Sequence, residues 1–168
     1  MNTLRTTTAV LIPALLLAMS CSSGGQKADP ASTNPTLRFY EHDTGQTSLD
    51  LGDPGEGPGD QFIFSGDVFD YKGGTKLGHT AGQCTTMSGD ATSGDVFCTE
   101  TFTLEGGQVS IQGLADRAAL FVKGEAVPMS VVGGTGKYNN ARGDGTAQVP
   151  PDVPNQTDAN YVLNVMLG

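Results

Sequence analysis

Turn-forming residues recur so closely in this sequence that a long helix has no room to form. The chain of 168 residues contains 24 glycines and 9 prolines. No long segment after residue 20 repeats its apolar residues with the helical period. Between the turn signals lie short stretches rich in apolar and aromatic residues, several of which alternate with polar ones, the pattern of strands with one buried face. The sequence therefore predicts an all-β domain, either a sandwich or a closed barrel.

The strand signals are spread evenly along the chain from residue 36 to its end. They cover residues 36–42, 61–71, 76–87, 96–104, 108–112, 118–122, 127–132, 145–149 and 161–167. About eight short strands suit one small domain with a single core. A barrel would give the last strand a neighbour and hide its edge. We also expect Gly66 to form a bulge within its strand.

The first 20 residues have the composition of an export signal. Arg5 supplies a positive charge, and the apolar run Ala9–Ala18 is shorter than the about 20 residues that a membrane-spanning helix needs. The following sequence, Leu17-Ala-Met-Ser-Cys21, resembles a bacterial lipobox, which implies cleavage before Cys21 and lipidation of its thiol. The alternative is an ordinary secretory signal followed by a chance cysteine.

Small and polar residues with two prolines follow Cys21 and predict a flexible tether. The predicted organisation is a lipoprotein signal peptide at residues 1–20, a linker at 21–35 and a β-domain at 36–168. Such a protein is extracytoplasmic and is held by its lipid anchor on a bacterial membrane, at the cell surface or in the periplasm.

Export leaves an even pair of cysteines in the domain. Cys84 and Cys98 flank a turn-rich stretch at residues 88–95, and a hairpin there would bring them together across two strands. In an oxidising compartment such a pair favours a disulfide. The alternative is a free Cys84 facing a pocket.

The charge balance and motif spacing exclude several functions. Lys and Arg number 9 and Asp and Glu 18, a formal net charge of −9, so we expect no nucleic-acid partner. Residues 133–137 are rich in glycine but lack the spacing of a phosphate-binding loop. The two histidines stand apart, and the acids of residues 50–60 lack the spacing of a calcium-binding loop. We therefore expect no metal and no cofactor.

Two sets of motifs resemble known families. The segment Thr36-Leu-Arg-Phe-Tyr-Glu-His-Asp43 is similar to the first barrel strand of dirigent proteins, and residues 131–143 resemble their glycine-rich segment. Residues 51–53, 68–70, 76–84 and 110–113 resemble motifs of allene oxide cyclase in order and rough spacing. The resemblance covers about residues 37–149. It implies an eight-stranded antiparallel barrel with a hydrophobic cavity, in families that commonly assemble as homotrimers.

The resemblance also indicates candidate site residues. Residues two apart on a strand share a face, so Phe39, Glu41 and Asp43 point the same way. The cyclase family has a cavity glutamate that matches Glu41 and a cavity cysteine that matches Cys84. Dirigent proteins have a pocket aspartate that matches Asp43. The implied catalytic residues are Glu41 and Asp43, and the implied ligand contacts are Phe39, Glu41, Asp43 and Cys84. The alternative places the acids at the rim of the barrel, and a disulfide would consume the Cys84 thiol.

Three functions fit these patterns. The first is binding of a small hydrophobic or aromatic molecule, and the second is an isomerase or cyclase that steers a reactive intermediate. The third is a structural surface lipoprotein with a filled interior. Allene oxide cyclase activity itself is not expected, because other polar cavity residues of that family are missing here. A cavity well below about 300 Å³ would favour the filled barrel, whereas inward carboxylates would favour pH-dependent turnover.

Overall fold

The computed structural model describes residues 34–151 and 158–168, which form a closed barrel of eight antiparallel strands. The strands are β1 (Thr36–Leu49), β2 (Gln61–Phe69), β3 (Lys76–Thr86), β4 (Asp95–Leu104), β5 (Gly107–Asp116), β6 (Val127–Gly134), β7 (Arg142–Gln148) and β8 (Ala159–Met166). Each strand pairs with the next, and β8 closes the barrel by pairing with β1 from Thr36 opposite Asn164 to Glu41 opposite Ala159. The barrel and the protected last strand are confirmed.

The predicted signal peptide, the lipidation site Cys21 and nearly all of the predicted tether fall in residues 1–33, outside the described residues. Within the part that is described, no helix has the length and apolar character needed to cross a membrane.

Strict alternation of side chains gives the wall an apolar inner face. In β8, Ala159, Tyr161, Leu163 and Val165 are buried, and the residues between them are less buried or exposed. Strand β6 follows the same pattern. Inward side chains form a continuous apolar core in the half of the barrel that ends in the connections 70–75, 105–106 and 135–141. This core includes Phe39, Val68, Phe102, Val109, Ile111, Val131, Leu163 and Val165. The polar groups described below lie in the other half.

The two ends of the barrel differ in their connections. We call the mouth the end formed by the connections 50–60, 87–94 and 117–126, and the floor the end formed by 70–75, 105–106 and 135–141. The floor turns are tight: Gly106, between β4 and β5, has a φ of 89°, which a residue with a Cβ rarely adopts. The longer connections at the mouth have room to shape an entrance.

Two local predictions are wrong. Residues Ala118–Val122 form a π-helical turn rather than a strand. The Asp116 carboxylate accepts a hydrogen bond from the Ala119 amide at 2.7 Å, which ends β5 and caps the turn. The predicted bulge is in β1 rather than at Gly66, which pairs regularly with Thr80.

The register of β1 against β2 shifts between Asp43 and Gly45. Asp43 Oδ1 accepts a hydrogen bond from the Gly45 amide at 2.8 Å and stabilises this bulge.

Asp158, directly before β8, fastens the barrel closure from the outside. Its carboxylate accepts a hydrogen bond from the Tyr40 hydroxyl, another from the Asp43 amide at 3.0 Å, and contacts His42 Nδ1 at 3.1 Å. Burial by itself would raise the pKa of Asp158, but these hydrogen bonds and the His42 charge outweigh it and lower that pKa. Burial and the Asp158 carboxylate raise the pKa of Tyr40 to about 12.

Replacing Asp158 by alanine should destabilise the closure. The Asp158→Ala variant leaves the buried Tyr40 hydroxyl and the Asp43 amide without their acceptor, which we expect to lower the free energy of unfolding by about 1–3 kcal/mol. Urea denaturation at pH 7 measures this. The matched control is Asp144→Ala, which removes an exposed hydrogen bond to Asn164 and should cost less than about 0.5 kcal/mol. Equal stability of the two variants would contradict the role given to Asp158.

Candidate functional site

Two buried carboxyl groups face each other inside the barrel. Glu41 projects from β1 and is 1% exposed, and Glu100 projects from β4 and is 5% exposed. The Tyr161 hydroxyl, from β8, donates to Glu41 Oε2 at 3.0 Å and also hydrogen-bonds Glu100. Thr80, from β3, donates its hydroxyl hydrogen to Glu100 Oε1 at 2.7 Å. Four strands therefore contribute to one buried acid cluster, which consists of Glu41, Glu100, Tyr161 and Thr80.

Neighbouring residues fix the position of this cluster. A Cβ at Gly66, on β2, would lie 2.6 Å from both Glu41 Cγ and Glu41 Oε1, so only glycine leaves room for that side chain. Below the carboxyls, the Phe102 ring packs edge-on against Tyr161 with ring centres 4.9 Å apart, and Phe39 packs against Phe102 at 5.2 Å. This aromatic layer forms an apolar base under the acid cluster.

The surroundings favour the protonated carboxyls. Burial, followed by the charge of Glu100, raises the pKa of Glu41 to about 9. Burial raises the pKa of Glu100 to about 7, although hydrogen bonds from Tyr161 and Thr80 oppose the shift. Burial and the two carboxylates raise the pKa of Tyr161 well above its ordinary value. Near neutral pH, the pair can both donate and accept a proton, as in sites where two acids have different roles.

A small cavity lies above the acid cluster. Its volume is about 40 Å³, and its lining includes both carboxyls and the Tyr161 ring. The other lining residues are apolar or sulfur-bearing: Phe62, Phe64, Cys84, Cys98, Leu120, Phe121, Met129, Ala147, Val149 and Ala159. Cys84 and Cys98 face each other across β3 and β4 and form a disulfide in this wall.

A second pocket of about 170 Å³ opens above the first, at the mouth. Phe62 and Phe121 line both pockets, and their rings meet edge-on with centres 6.4 Å apart. Arg117 lines the outer pocket and donates from Nη1 to Glu56 at 3.0 Å and from Nη2 to the Thr86 hydroxyl at 2.6 Å. The two rings therefore separate an aromatic inner cavity from a polar entrance.

The predicted site residues have different fates in the structure. Glu41 lines the cavity, and so does Cys84, but as half of a disulfide rather than as a free thiol. Phe39 lies inside the barrel, beneath the cavity, where it packs in the apolar core. Asp43 is half-buried at the β1 bulge and is not among the described residues that line the cavity. The structure therefore brings together Glu41 and Cys84 but not Phe39 or Asp43.

Sequence reasoning missed most of the cavity lining. Glu100 lies two residues from Cys98 and so shares its inward face, a spacing that could have identified it. Phe62 and Phe64 alternate in the same way on β2. Tyr161 belongs to the inward series of β8. Leu120 and Phe121 gave no such signal, because residues 118–122 were predicted as a strand.

Comparisons with known proteins agree with this architecture. The family model described as an allene oxide cyclase barrel like domain matches residues 40–163. No sequence among the curated proteins matches the chain.

Several solved structures share the fold. A pyocyanin demethylase is 24% identical with a TM-score of 0.64, over 79% of this chain and 100% of its own. A pterocarpan synthase dirigent protein is 19% identical with a TM-score of 0.61, over 79% and 94% of the two chains. A Diels–Alderase from Streptomyces koyangensis is 20% identical with a TM-score of 0.61, over 78% and 64%. At these identities the likeness establishes the fold alone.

The raised pKa values of the acid pair predict that stability falls as pH rises. Below about pH 4.5 both carboxyls are protonated whether the chain is folded or unfolded. Above that pH the unfolded chain ionises both carboxyls, whereas in the folded barrel Glu100 keeps its proton up to about pH 7 and Glu41 up to about pH 9. The free energy of unfolding should therefore decrease with pH, by at most about 1.4 kcal/mol per pH unit for each carboxyl.

Urea denaturation between pH 5.5 and 9 tests this prediction, because Asp60, Asp90 and Asp158, whose pKa values are lowered, affect stability only at lower pH. The variants Glu41→Gln and Glu100→Gln should each flatten the dependence. Glu105→Gln, an exposed change at the floor, should leave it intact. Equal stability of the natural protein at pH 5.5 and 8.5 would rule out the buried protonated pair.

Proposed function

Since this chain belongs to the allene oxide cyclase barrel-like family, we propose that its barrel binds a small, largely apolar molecule at the Glu41–Glu100 pair. The aromatic wall of the cavity supplies apolar contact, and the two carboxyls supply a few polar contacts that fix orientation. Ligand sites in proteins commonly combine these two features.

The buried acid pair is the observation that carries this proposal. Removing two carboxyls from water costs free energy, and their side-chain hydrogen-bond partners among the described residues are hydroxyl groups rather than basic side chains. A barrel that served only as a filled scaffold would be more stable with apolar residues at both positions. Strongly perturbed acids in a cavity are characteristic of functional sites.

The inner cavity has to enlarge to admit a molecule bigger than water. Its volume of about 40 Å³, and the about 170 Å³ of the outer pocket, each lie below the about 300 Å³ of an ordinary ligand pocket. Phe121 lies on the π-helical turn rather than on a strand, so its ring can move without breaking the barrel wall. Displacement of this ring would join the two pockets. The small volume taken alone favours the structural alternative, and the acid pair opposes it.

An isomerase or cyclase is the second candidate, and the unequal pKa values of the pair favour it. A protonated Glu41 can donate a proton to a bound molecule while an ionised Glu100 accepts one from it, leaving the net proton count unchanged. A pyocyanin demethylase, a pterocarpan synthase dirigent protein and a Diels–Alderase share this fold. Positioning by the barrel would supply the rest of the catalysis.

We further propose that the protein is exported and anchored through lipidated Cys21. The support is the sequence of residues 1–21 together with a domain that carries a disulfide, which is expected of an extracytoplasmic protein.

Incubation with a metabolite extract tests the ligand-binding proposal. The full chain should retain at least one small molecule after gel filtration, as identified by mass spectrometry. We expect the Glu41→Gln variant to retain about tenfold less, because the carboxyl contact that orients the ligand is lost, and Glu105→Gln to retain the same amount. Conversion of an added compound with a rate that depends on pH and on Glu100 would identify the enzyme. If nothing is retained or converted, the structural alternative stands instead.

Replacement of Cys21 tests the anchor. The natural chain, expressed with its N-terminal segment in a bacterium, should carry the mass of its acyl chains and partition into detergent. The Cys21→Ala variant should lack that mass and stay in the aqueous phase. Identical mass increments and partitioning of the two proteins would refute lipidation at this residue.

A further inference from the structure

Charge is distributed unevenly between the two ends of the barrel. In the described part of the chain, the mouth connections carry six acids and two bases: Asp50, Asp53, Glu56, Asp60, Asp90 and Glu125, against Arg117 and Lys123. The floor connections balance Asp70 and Glu105 with Lys72 and Lys137. A negative entrance over a low-dielectric cavity concentrates cations and repels anions.

The acid cluster continues this charge pattern inside the barrel. Glu41 Oε2 accepts from Tyr161, but Glu41 Oε1 is buried and has no hydrogen-bond partner among the described residues. A buried oxygen of this kind costs free energy until a donor reaches it. Glu41 lines the cavity, so a bound molecule can supply that donor. The unpaired oxygen is an observation independent of the acidic mouth, and it indicates that the cavity suits a ligand with a hydrogen-bond donor.

The cavity wall suits a flat cation. Phe62 and Phe64 lie nearly parallel with ring centres 5.8 Å apart, and Phe121 meets Phe62 edge-on. Aromatic faces attract cations, most strongly where water is excluded. The same faces pack against a planar apolar body. An anion would meet carboxyls at both the mouth and the base of the cavity.

Strand register gives the length of this path. Glu100 lies opposite Gly82 on β3, and Thr86, the hydroxyl partner of Arg117, lies four residues further along that strand toward the mouth. At about 3.3 Å per residue, the path from the acid pair to the entrance is about 13 Å long. A molecule of two or three fused rings fits within this distance.

We propose that the ligand of this barrel is an organic cation, a planar amine or N-heteroaromatic ion whose positive group binds at Glu41. The inference rests on the proposed function, because it specifies the ligand of the same cavity. It assigns steering to the acidic mouth, planar packing to the phenylalanines and charge recognition to Glu41.

Arg117 does not oppose this assignment. Its guanidinium hydrogen-bonds Glu56 and Thr86, and its charge also interacts with the Asp60 carboxylate. Arg117 Nε is buried and lacks a partner among the described residues, so this group of the outer pocket would attract an anion. An anionic probe therefore belongs in the experiment.

Cation binding should also displace a proton. The ionisable groups whose charges or hydrogen bonds act on Glu41 are Glu100 on β4, Tyr161 on β8, Asp158 directly before β8 and Asp43 on its own strand. None is a cation, so the pair holds protons when the cavity is empty. A positive charge beside Glu41 favours its ionised form. Binding should then strengthen as pH rises and release a proton, and a neutral ligand should show neither effect.

Three probes of similar shape test the proposal on the full chain: 1-naphthylmethylammonium, 1-methylnaphthalene and 1-naphthoate. Isothermal titration at low salt should give 1-naphthylmethylammonium an affinity about tenfold or more above that of 1-methylnaphthalene, and no binding of naphthoate. Titration in two buffers of different ionisation enthalpy should show proton release with the cation alone. Glu41→Gln should remove both the preference and the proton release.

Matched surface variants test the role of the mouth. The pair Asp53→Asn and Glu125→Gln should slow association of the cation several-fold at low salt, an effect that added salt removes. The pair Asp70→Asn and Glu105→Gln makes the same charge change at the floor and should leave the rate unchanged.

The outcomes separate this inference from the proposed function. Equal or tighter binding of the neutral probe or of naphthoate overturns the cation assignment and leaves a binding barrel in place. Failure of all three probes, alongside retained metabolites, also overturns the cation assignment alone. Failure of the probes with nothing retained or converted from the extract overturns both.

Discussion

Pairing between the first and last strands is the constraint on which this molecule depends. Glu41 and Tyr161, 120 residues apart, meet only because β1 and β8 pair in one register. The same pairing places the Asp158 carboxylate against Tyr40 and the Asp43 amide on the outer wall. A shift of one residue would turn Glu41 outward and Tyr40 inward, because neighbouring side chains lie on opposite faces. The Asp158 contacts on the outer face and the acid cluster on the inner face therefore depend on the same β1–β8 pairing.

The half of the barrel toward the floor holds the stabilising core, and the half toward the mouth holds the candidate site. Below the acid cluster, Phe39, Phe102 and the aliphatic residues of four strands form an apolar core. The acid cluster itself is surrounded by an apolar wall, and burying its polar groups there costs free energy. The lower half offsets that cost, and Phe102 also fixes the ring of Tyr161. A site of this kind can be rigid because the residues that orient it belong to the core.

Sequence patterns predicted the frame of this structure better than its lining. Alternation along β6 and β8, and the glycine turn at Gly106, depend on local geometry, and they predicted an all-β sandwich or barrel with one strand too many, at residues 118–122. The resemblance to dirigent proteins and allene oxide cyclase favoured the barrel and indicated Glu41 on β1. Its partners could not follow, because the meeting of Glu41, Glu100 and Tyr161 depends on barrel closure rather than on local sequence. Asp43 shows the reverse: alternation placed it inside, but the bulge at Thr44 let its carboxylate bind the Gly45 amide.

The phenylalanine pair that separates the two pockets would affect how fast a ligand exchanges rather than how tightly it binds. Phe62 is fixed to β2, whereas Phe121 is carried by a single short turn. Under the binding proposed above, a molecule in the inner cavity would have to pass these two rings, so motion of that turn would limit both entry and exit. Affinity and exchange rate would then have separate causes: the acid cluster and the cavity wall would set how strongly a ligand is held, and residues 118–122 would set how long it stays. Changes in that turn would alter residence time while leaving the cavity chemistry untouched.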